Sequence, residues 1–399
     1  MLKRILTEQL VPGMYIVDSG LPWLENPYLF SAELEVTAEI IEKIQQEGYT
    51  EVFIDTERGQ PGASAAYADD SEFAATLADS VPAGNGVPNV PLSEEIDAAK
   101  ATYVGAFNQA KSFMDGIRRG GKVDLNNAKP LVGEMLKSLG RNPDALLGLC
   151  KLRSQDDYTY THCINVAVLS VMFAKHMGFL PEVQQTAGLA GVFHDLGKAL
   201  IPLRILNAPR KLSDEEFAIM RKHPALSYDL VRKTSGFEQD VVLGVYEHHE
   251  RFNGQGYPRG IAGDEISPLW RVLAVADVYD ALSSVRPYKQ SMLAHRVLGV
   301  MYQMRGEDFY PGYVENFIRM LGIYPVGSVV KLEDGRQGVV SGSNSEAPTK
   351  PRVLVMRDKK GQPLRPAEYN IRLGECPPIQ RCLAAGESSI DPAKALGIS

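Results

Sequence analysis

His194 and Asp195 stand side by side at the end of an apolar run, Ala187 to Phe193, with Lys198 three residues further on. A run of that kind reads as a buried helix. Charged groups are seldom buried unless they are paired or bound to a metal, so this pair needs partners. His162 lies 32 residues before His194, and His223 lies 29 after it. His248 and His249 come 25 residues beyond His223, and Asp277 follows His249 by 28. Such wide, even spacing is what successive helices of a bundle give when each supplies an inward ligand. It is unlike the short spacings of zinc fingers and zincins. A lone core histidine is more often an imidazole satisfied by a carbonyl. Here five of the seven histidines belong to one series and two are adjacent, which is a donor set for a metal. His176 and His295 have no apolar or acidic context that singles them out and read as surface or capping residues.

Several imidazoles with two or more carboxylates suit a dinuclear site for iron, manganese or another mid-row metal. A carboxylate such as Asp195 can bridge two ions about 3.5–4 Å apart, and water activated there attacks phosphorus in line. Lys198 is placed to bind a phosphate oxygen as a point charge, or to be an exposed helix-end cation. Arg286 and Lys289 follow the Asp277 segment and can clamp the far side of a phosphodiester, or lie in a solvated loop. Asp277 and Asp280, three residues apart, share one face of a helix.

The elements that must position these groups follow from pattern and punctuation. Residues 1–60 read as a small α/β module, with strands at Met14–Val17 and Glu51–Asp55 and an amphipathic helix from Thr37 to Gln46. Residues 61–92 are dominated by Gly, Ala, Ser, Pro and Asp and read as a flexible linker. Helical patterning occupies 93–322, with helices near 92–117, 126–139, 143–152 and 158–177. Ser213 and Glu216 match a capping box that opens a helix expected to end at His223–Pro224. Further helices run from Glu238 to His249 and from Pro268 to Ser284, with a turn-rich loop of Gly254, Gly256, Pro258, Gly260 and Gly263 between them. Beyond 322 short β-prone runs alternate with turns, and Asp334–Gly335 and Lys360–Gly361 are hairpin signals. Residues 323–375 therefore read as a small barrel-like β module, and 376–399 as a tail that frays after Cys382. The fold class is mainly α, with a small module at each end.

The chain has 399 residues, 44% hydrophobic and 23% charged, which fits a soluble protein of two or three domains. A net charge of −7 argues against general nucleic-acid binding. The four scattered cysteines read as free thiols of a reducing compartment. No run reaches the ~18 apolar residues of a membrane span, so a cytoplasmic location is expected.

Four stretches together resemble the HD-GYP family of HD phosphohydrolases. His194-Asp195-Leu196-Gly197-Lys198 matches its H-D-x-G-K. The segment His248 to Pro258 matches H-H-E-x-x-D-G-x-G-Y-P, with Asn253 in place of Asp. Ala276 to Leu282 matches A-D-x-x-D-A-L, and Arg286-Pro287-Tyr288-Lys289 matches R-P-Y-[RK]. The resemblance covers about 150–320 and implies a helical domain that hydrolyses cyclic di-GMP to pGpG or GMP. It implies His194, Asp195, His223, His248, His249 and Asp277 as ligands of two divalent ions, iron first, with His162 beside them. Asp195 and Lys198 are then catalytic; Lys198, Arg286 and Lys289 hold phosphate. Gly256, Tyr257 and Asp280 lie on the substrate side. Family members that hold three ions carry a glutamate four residues before the first histidine. Tyr158 occupies that position, so two ions are expected. The resemblance also implies protein partners such as diguanylate cyclases at the loop around Tyr257, and it allows a homodimer. Two other readings stay open: a sensor that only binds cyclic di-GMP, and a phosphodiesterase for another cyclic dinucleotide.

Overall fold

The most apolar stretches of the chain form its central helices. The computed structural model describes residues 2–18, 34–46, 51–55, 88–121, 125–151, 158–208, 210, 212–234, 236–284, 293–344, 346–384 and 386–398. In order, the helices are α1 (Ala38–Gln46), α2 (Leu92–Arg118), α3 (Leu125–Arg141), α4 (Pro143–Lys151), α5 (Tyr158–His176), α6 (Pro181–Phe193), α7 (Leu203–Leu206), α8 (Asp214–Met220), α9 (His223–Arg232), α10 (Gln239–Glu247), α11 (Pro268–Ser283), α12 (Ala294–Gln303), α13 (Tyr313–Leu321) and α14 (Pro392–Ala395). The strands are β1 (Leu2–Leu6), β2 (Tyr15–Asp18), β3 (Leu34–Glu35), β4 (Glu51–Asp55), β5 (Val329–Leu332), β6 (Gln337–Gly342), β7 (Arg352–Arg357), β8 (Pro363–Asn370) and β9 (Ile379–Cys382).

Helices α5 and α11 are buried along most of their length, and α6 is buried from Thr186 to its end. A helix apolar on all sides belongs inside, and these three form the centre of the bundle. Around them α2 offers a single stripe. Ile96, Ala99, Tyr103, Ala106, Ala110, Phe113 and Ile117 recur every three or four residues and are all buried. Most charged residues of α2 take the other face, whereas Glu95 is buried and accepts from Ser138 and Arg141.

Two helix boundaries differ from the sequence expectation. The capping box at Ser213 is present, with Ser213 Oγ accepting from the Glu216 amide, but the helix it opens ends at Met220. His223–Pro224 then starts a new helix instead of finishing the old one. Proline in the first turn lacks only an amide that has no helical partner there, so it suits a start as well as a stop. Helix α6 begins at Pro181, six residues before the apolar run, for the same reason.

Each end of the chain carries an antiparallel sheet. The first has the order β1-β4-β2-β3 and buries Ile5, Ile16, Val52 and Ile54 together with Ile44 of α1. The second has the order β8-β7-β6-β5-β9. Asp334–Gly335 and Lys360–Gly361 lie in its two hairpin turns, with Gly335 and Gly361 at φ of 88° and 79°. The expected tail is folded: β9 pairs with β5, placing Cys382 opposite Val330. After it, Ile390 and Leu396 are buried with Val326 and Val339. The pairing joins segments some fifty residues apart, which composition does not reveal. The sheet is tied to the helices through Asp144, which accepts from the Ser343 hydroxyl and from Arg352, each at 2.9 Å.

Among the described residues no helix is long and apolar enough to cross a membrane. The linker expected at 61–92 lies, up to residue 87, outside the described residues.

His176, expected at the surface, is 1% exposed at the end of α5. Its ring lies 6.5 Å from Phe173, and neither nitrogen has a hydrogen-bond partner. Burial, aided by the charge of Arg319, pushes its pKa down to about 4. The unfolded chain takes up this proton near pH 6.5 and the folded one does not. Stability from this group is therefore complete above about pH 6.5 and is lost as pH falls toward 4, by about 2 kcal/mol at pH 5. His176→Gln should shrink the fall in urea midpoint between pH 7 and pH 5. An unchanged fall would show that other groups carry the acid sensitivity.

Candidate metal centre

Three histidines of the series stand where a helix runs out. His194 follows α6, His223 comes three residues after the end of α8, and His248 follows α10. Each Nδ1 lies 2.8 Å from the carbonyl three residues earlier: Gly191, Met220 and Val245. A carbonyl only accepts, so each Nδ1 carries the proton and each Nε2 presents a lone pair. The last carbonyls of a helix lack helical partners, which is why they are free for this work.

Those lone pairs face one another. His223 Nε2 is 3.3 Å from His248 Nε2 and 3.1 Å from His249 Nε2. His194 Nε2 is 3.3 Å from His162 Nε2. Asp195 joins the two groups, with Oδ1 3.2 Å from His223 Nε2 and Oδ2 3.3 Å from His194 Nε2. Asp195 is 1% exposed, and its Oδ1 has no hydrogen bond. Acceptors packed this closely repel unless a cation lies between them. Separations just over 3 Å are those of neighbouring ligands on one ion with bonds of about 2.1 Å. Three sets of donors have atoms within 4.8 Å of one another: His223, His248 and His249; His162, His194 and Asp277; and His194, Asp195 and His248. The residues fit a divalent metal site with shared ligands.

The electrostatics agree with that fit. Burial keeps His223 and His249 well below the usual imidazole range and brings His248 down to about 4. All three are neutral near pH 7, as ligands must be. Burial works against the charge of Asp195 and Asp277. Contacts with His194 and Lys198 nonetheless hold Asp195 below the usual carboxylate range, and contacts with His162 and His194 do the same for Asp277. His162 is the exception among the imidazoles. Burial opposes its proton, yet Asp277 and Asp280 prevail and raise it to about 9. Its Nε2 is 3.0 Å from Asp277 and its Nδ1 is 2.8 Å from Asp280. To serve as a ligand His162 must give up the Nε2 proton, while Asp280 keeps the one on Nδ1.

Asp280, expected on the substrate side, turns both carboxylate oxygens to protein partners. One oxygen holds His162, and the other accepts from Asn165 at 2.8 Å. Asn165 in turn accepts from the Tyr103 hydroxyl at 2.6 Å and donates to the Cys150 carbonyl at 3.1 Å. Sequence reading missed Asn165. Its position three residues after His162 on α5 puts it on the same face, which was the available signal.

Lys198 lies in the short turn Leu196–Leu200, with Nζ 2.6 Å from Asp195 Oδ2 and its side chain 22% exposed. The turn packs against α9 because residue 197 is glycine. A Cβ there would lie 2.2 Å from the His223 carbonyl oxygen, so any side chain would push His223 away from Asp195.

Most of the chain is matched by known families and relatives. An HD domain model matches residues 134–312, a domain of unknown function matches 2–128, and a KOW domain associated with HD domain matches 329–377. The chain is 37% identical over 361 residues to the cyclic di-GMP phosphodiesterase PA4108 of Pseudomonas aeruginosa, covering 89% of this chain and 85% of that one. The chain belongs to the HD-GYP family. It is also 38% identical over 149 residues to the cyclic di-GMP phosphodiesterase response regulator RpfG of Xanthomonas campestris, covering 37% of this chain and 39% of RpfG. A 3'3'-cGAMP-specific phosphodiesterase of Vibrio cholerae is 37% identical over 149 residues, covering 37% of this chain and 34% of that relative.

The loop that gives HD-GYP its last three letters closes one side of the centre. Tyr257 stacks on His249 with ring centroids 4.7 Å apart. The Arg221 guanidinium lies 4.6 Å from the centre of the Tyr257 ring, a cation–π contact. Arg221 was not singled out in sequence, since no motif letter marks it; it reaches the loop from beyond the end of α8. A Cβ on Gly256 would lie 2.5 Å from Glu250 Cα, so the loop can lie this close only with glycine there. Glu250 pins its far half by accepting from the amides of Arg259, Gly260 and Ile261. Asn253 makes the turn expected of it, with Oδ1 accepting from the Gln255 amide at 3.0 Å. Arg286 and Lys289 lie outside the described residues.

Asp280→Ala should release His162 and lower metal affinity about 10- to 100-fold, the usual effect of removing an outer-sphere partner. Metal titration of the variant checks this. Full metal affinity with a raised KM would instead return Asp280 to substrate contact.

Proposed function

We propose that this HD-GYP chain hydrolyses cyclic di-GMP to pGpG or GMP, with two divalent ions held by His194, Asp195, His223, His248, His249 and Asp277. The observation that carries this reading is the convergence of unprotonated Nε2 atoms on Asp195, beside Lys198, in a family member similar over most of its length to a cyclic di-GMP phosphodiesterase. Bound ions would supply Lewis acidity and a water of lowered pKa.

The protein side of the mechanism follows from the geometry. The three carbonyl contacts keep the Nε2 lone pairs in place and the imidazoles neutral. Asp195 spans both groups of histidines and would hold both ions. Lys198 offers one positive charge to a phosphate oxygen and leaves its contact with Asp195 to do so. Arg221 and Tyr257 form a wall on which a guanine base can stack, with Gly256 setting its height. Arg286 and Lys289 hold the far phosphate. His162 completes the centre from α5, and Asp280 positions it.

Iron is the favoured metal, with manganese or another mid-row ion as the alternative, given mixed imidazole and carboxylate donors. The division into a 1–60 module, a 61–92 linker, a 93–322 helical region and a 323–375 β module is adopted with one change: the sheet takes in β9. The Tyr257 loop is a docking surface for partners such as diguanylate cyclases, and the chain acts as a monomer or homodimer. It works in the cytoplasm, where its four free cysteines stay reduced. A second substrate, 3'3'-cGAMP, enters because one relative is named as specific for it.

Anaerobically prepared, metal-replete protein incubated with cyclic di-GMP, 3'3'-cGAMP and cyclic di-AMP should linearise cyclic di-GMP fastest, as read by chromatography. Binding without turnover would make the chain a sensor. Asp195→Ala should lower turnover at least 1,000-fold, on the scale of ~4 kcal/mol of lost barrier reduction, with its helix content kept by circular dichroism. Retained turnover would remove Asp195 from the mechanism. Metal analysis should return two ions per chain, and three full sites would overturn the count.

A further inference from the structure

On the side of Asp280 away from the metal centre lies a cavity of about 400 Å³. It sits where the helices meet the C-terminal sheet. Helix α4 contributes Leu147, Cys150 and Lys151, the end of α11 contributes Tyr279, Asp280 and Ser283, and α12 contributes His295. The far wall is Val326, Ser328, Leu383 and Ile390. A pocket of this volume, mostly apolar with a few polar groups, suits a small organic ligand.

The polar groups define its charge. Lys151 opens to the cavity, and among the described residues its one hydrogen bond is to the Ser328 hydroxyl at 2.8 Å. No described carboxylate forms an ion pair with it, and Asp280 is engaged by His162 and Asn165. Lys151 is itself an exposed residue, so its ammonium group stands where solvent and the cavity meet. His295 lies in the same wall, its Nδ1 enclosed and without a hydrogen-bond partner. A cation facing an apolar chamber without a counter-ion is an incomplete arrangement. One lysine matches one negative charge. A nucleotide or a phosphodianion would call for more cations or an arginine fork.

We propose that this cavity binds a small amphipathic carboxylate, its headgroup on Lys151 and its apolar body along Leu147, Val326, Leu383 and Ile390. The site touches the metal centre through two hydrogen bonds already described. Asp280 is in the cavity wall and holds His162, and the Cys150 carbonyl in the same wall holds Asn165. Occupancy therefore bears on the residue that orients His162, and the ligand regulates turnover. That link to turnover rests on the metal-site reading, whereas the binding itself does not.

The test uses the full-length, metal-loaded protein with octanoate, and with octanol as the uncharged counterpart, in calorimetric titrations. Octanoate should bind at one site per chain, at least 10-fold more tightly than octanol. Lys151→Met should remove that preference while leaving metal content unchanged. Ala384→Trp, which fills the cavity from its rim, should abolish octanoate binding in a protein of native helix content. Equal binding of the two probes, no saturable binding, or a preference that survives both substitutions would overturn the site. Saturable octanoate binding with turnover unchanged would overturn the regulatory link alone. Loss of all hydrolysis in the absence of octanoate would count against the metal-site reading instead.

Discussion

Everything at the centre of this protein depends on which ring nitrogen of each histidine carries the proton. At His194, His223 and His248 the decision is made by a backbone carbonyl three residues earlier. The consequence is an inward-facing set of lone pairs whose described neighbours are other imidazole nitrogens and the carboxylates of Asp195 and Asp277. An interior that leaves acceptors facing acceptors is unstable by itself. The fold tolerates it because the arrangement is completed by something the chain binds. Stability and activity are thereby coupled, since the same atoms that disfavour the empty fold create the demand for metal.

The rest of the architecture keeps those atoms in register. Helices α5 and α11 and the Thr186–Phe193 part of α6 are buried and pack as the centre, while α9 and α10 bring His223, His248 and His249 from one side. Close packing resists small shifts, and Gly197 and Gly256 mark the two places where backbones approach most tightly around the site. The polar network behind His162 is satisfied from Asp280 through Asn165 to Tyr103. A fully paired buried network of this kind fixes one geometry.

Much of this was legible in the sequence, for identifiable reasons. His194 and Asp195 stood out because polar groups closing an apolar helix need partners, and the spacing of His162, His223, His248 and Asp277 supplied them. What stayed hidden was non-local. His176 looked like a surface residue because its burial comes from packing outside its own helix, with Phe317 of α13 edge-on to Phe173 nearby. Pro224 read as a stop because proline ends and starts helices with equal ease. Asp280 shared a face with Asp277, so periodicity placed it near the centre but could not say that His162 and Asn165 would occupy both its oxygens. The segment after 375 is poor in large apolar residues, and its order comes from pairing with β5 and burial against Val326 and Val339.

That last segment sets an order of events during synthesis. Every histidine and aspartate of the metal centre precedes residue 278, whereas Ile390 and Leu396, which cover Val326 and Val339, emerge far later. A chain leaving the ribosome can therefore assemble its donor set while one flank is still bare. A chain cut after Cys382 would keep every proposed metal ligand and bare Val326 and Val339. Bare apolar patches of that kind draw chaperones and proteases. The donor set and the cover of its neighbouring flank are thus written in separate parts of the chain.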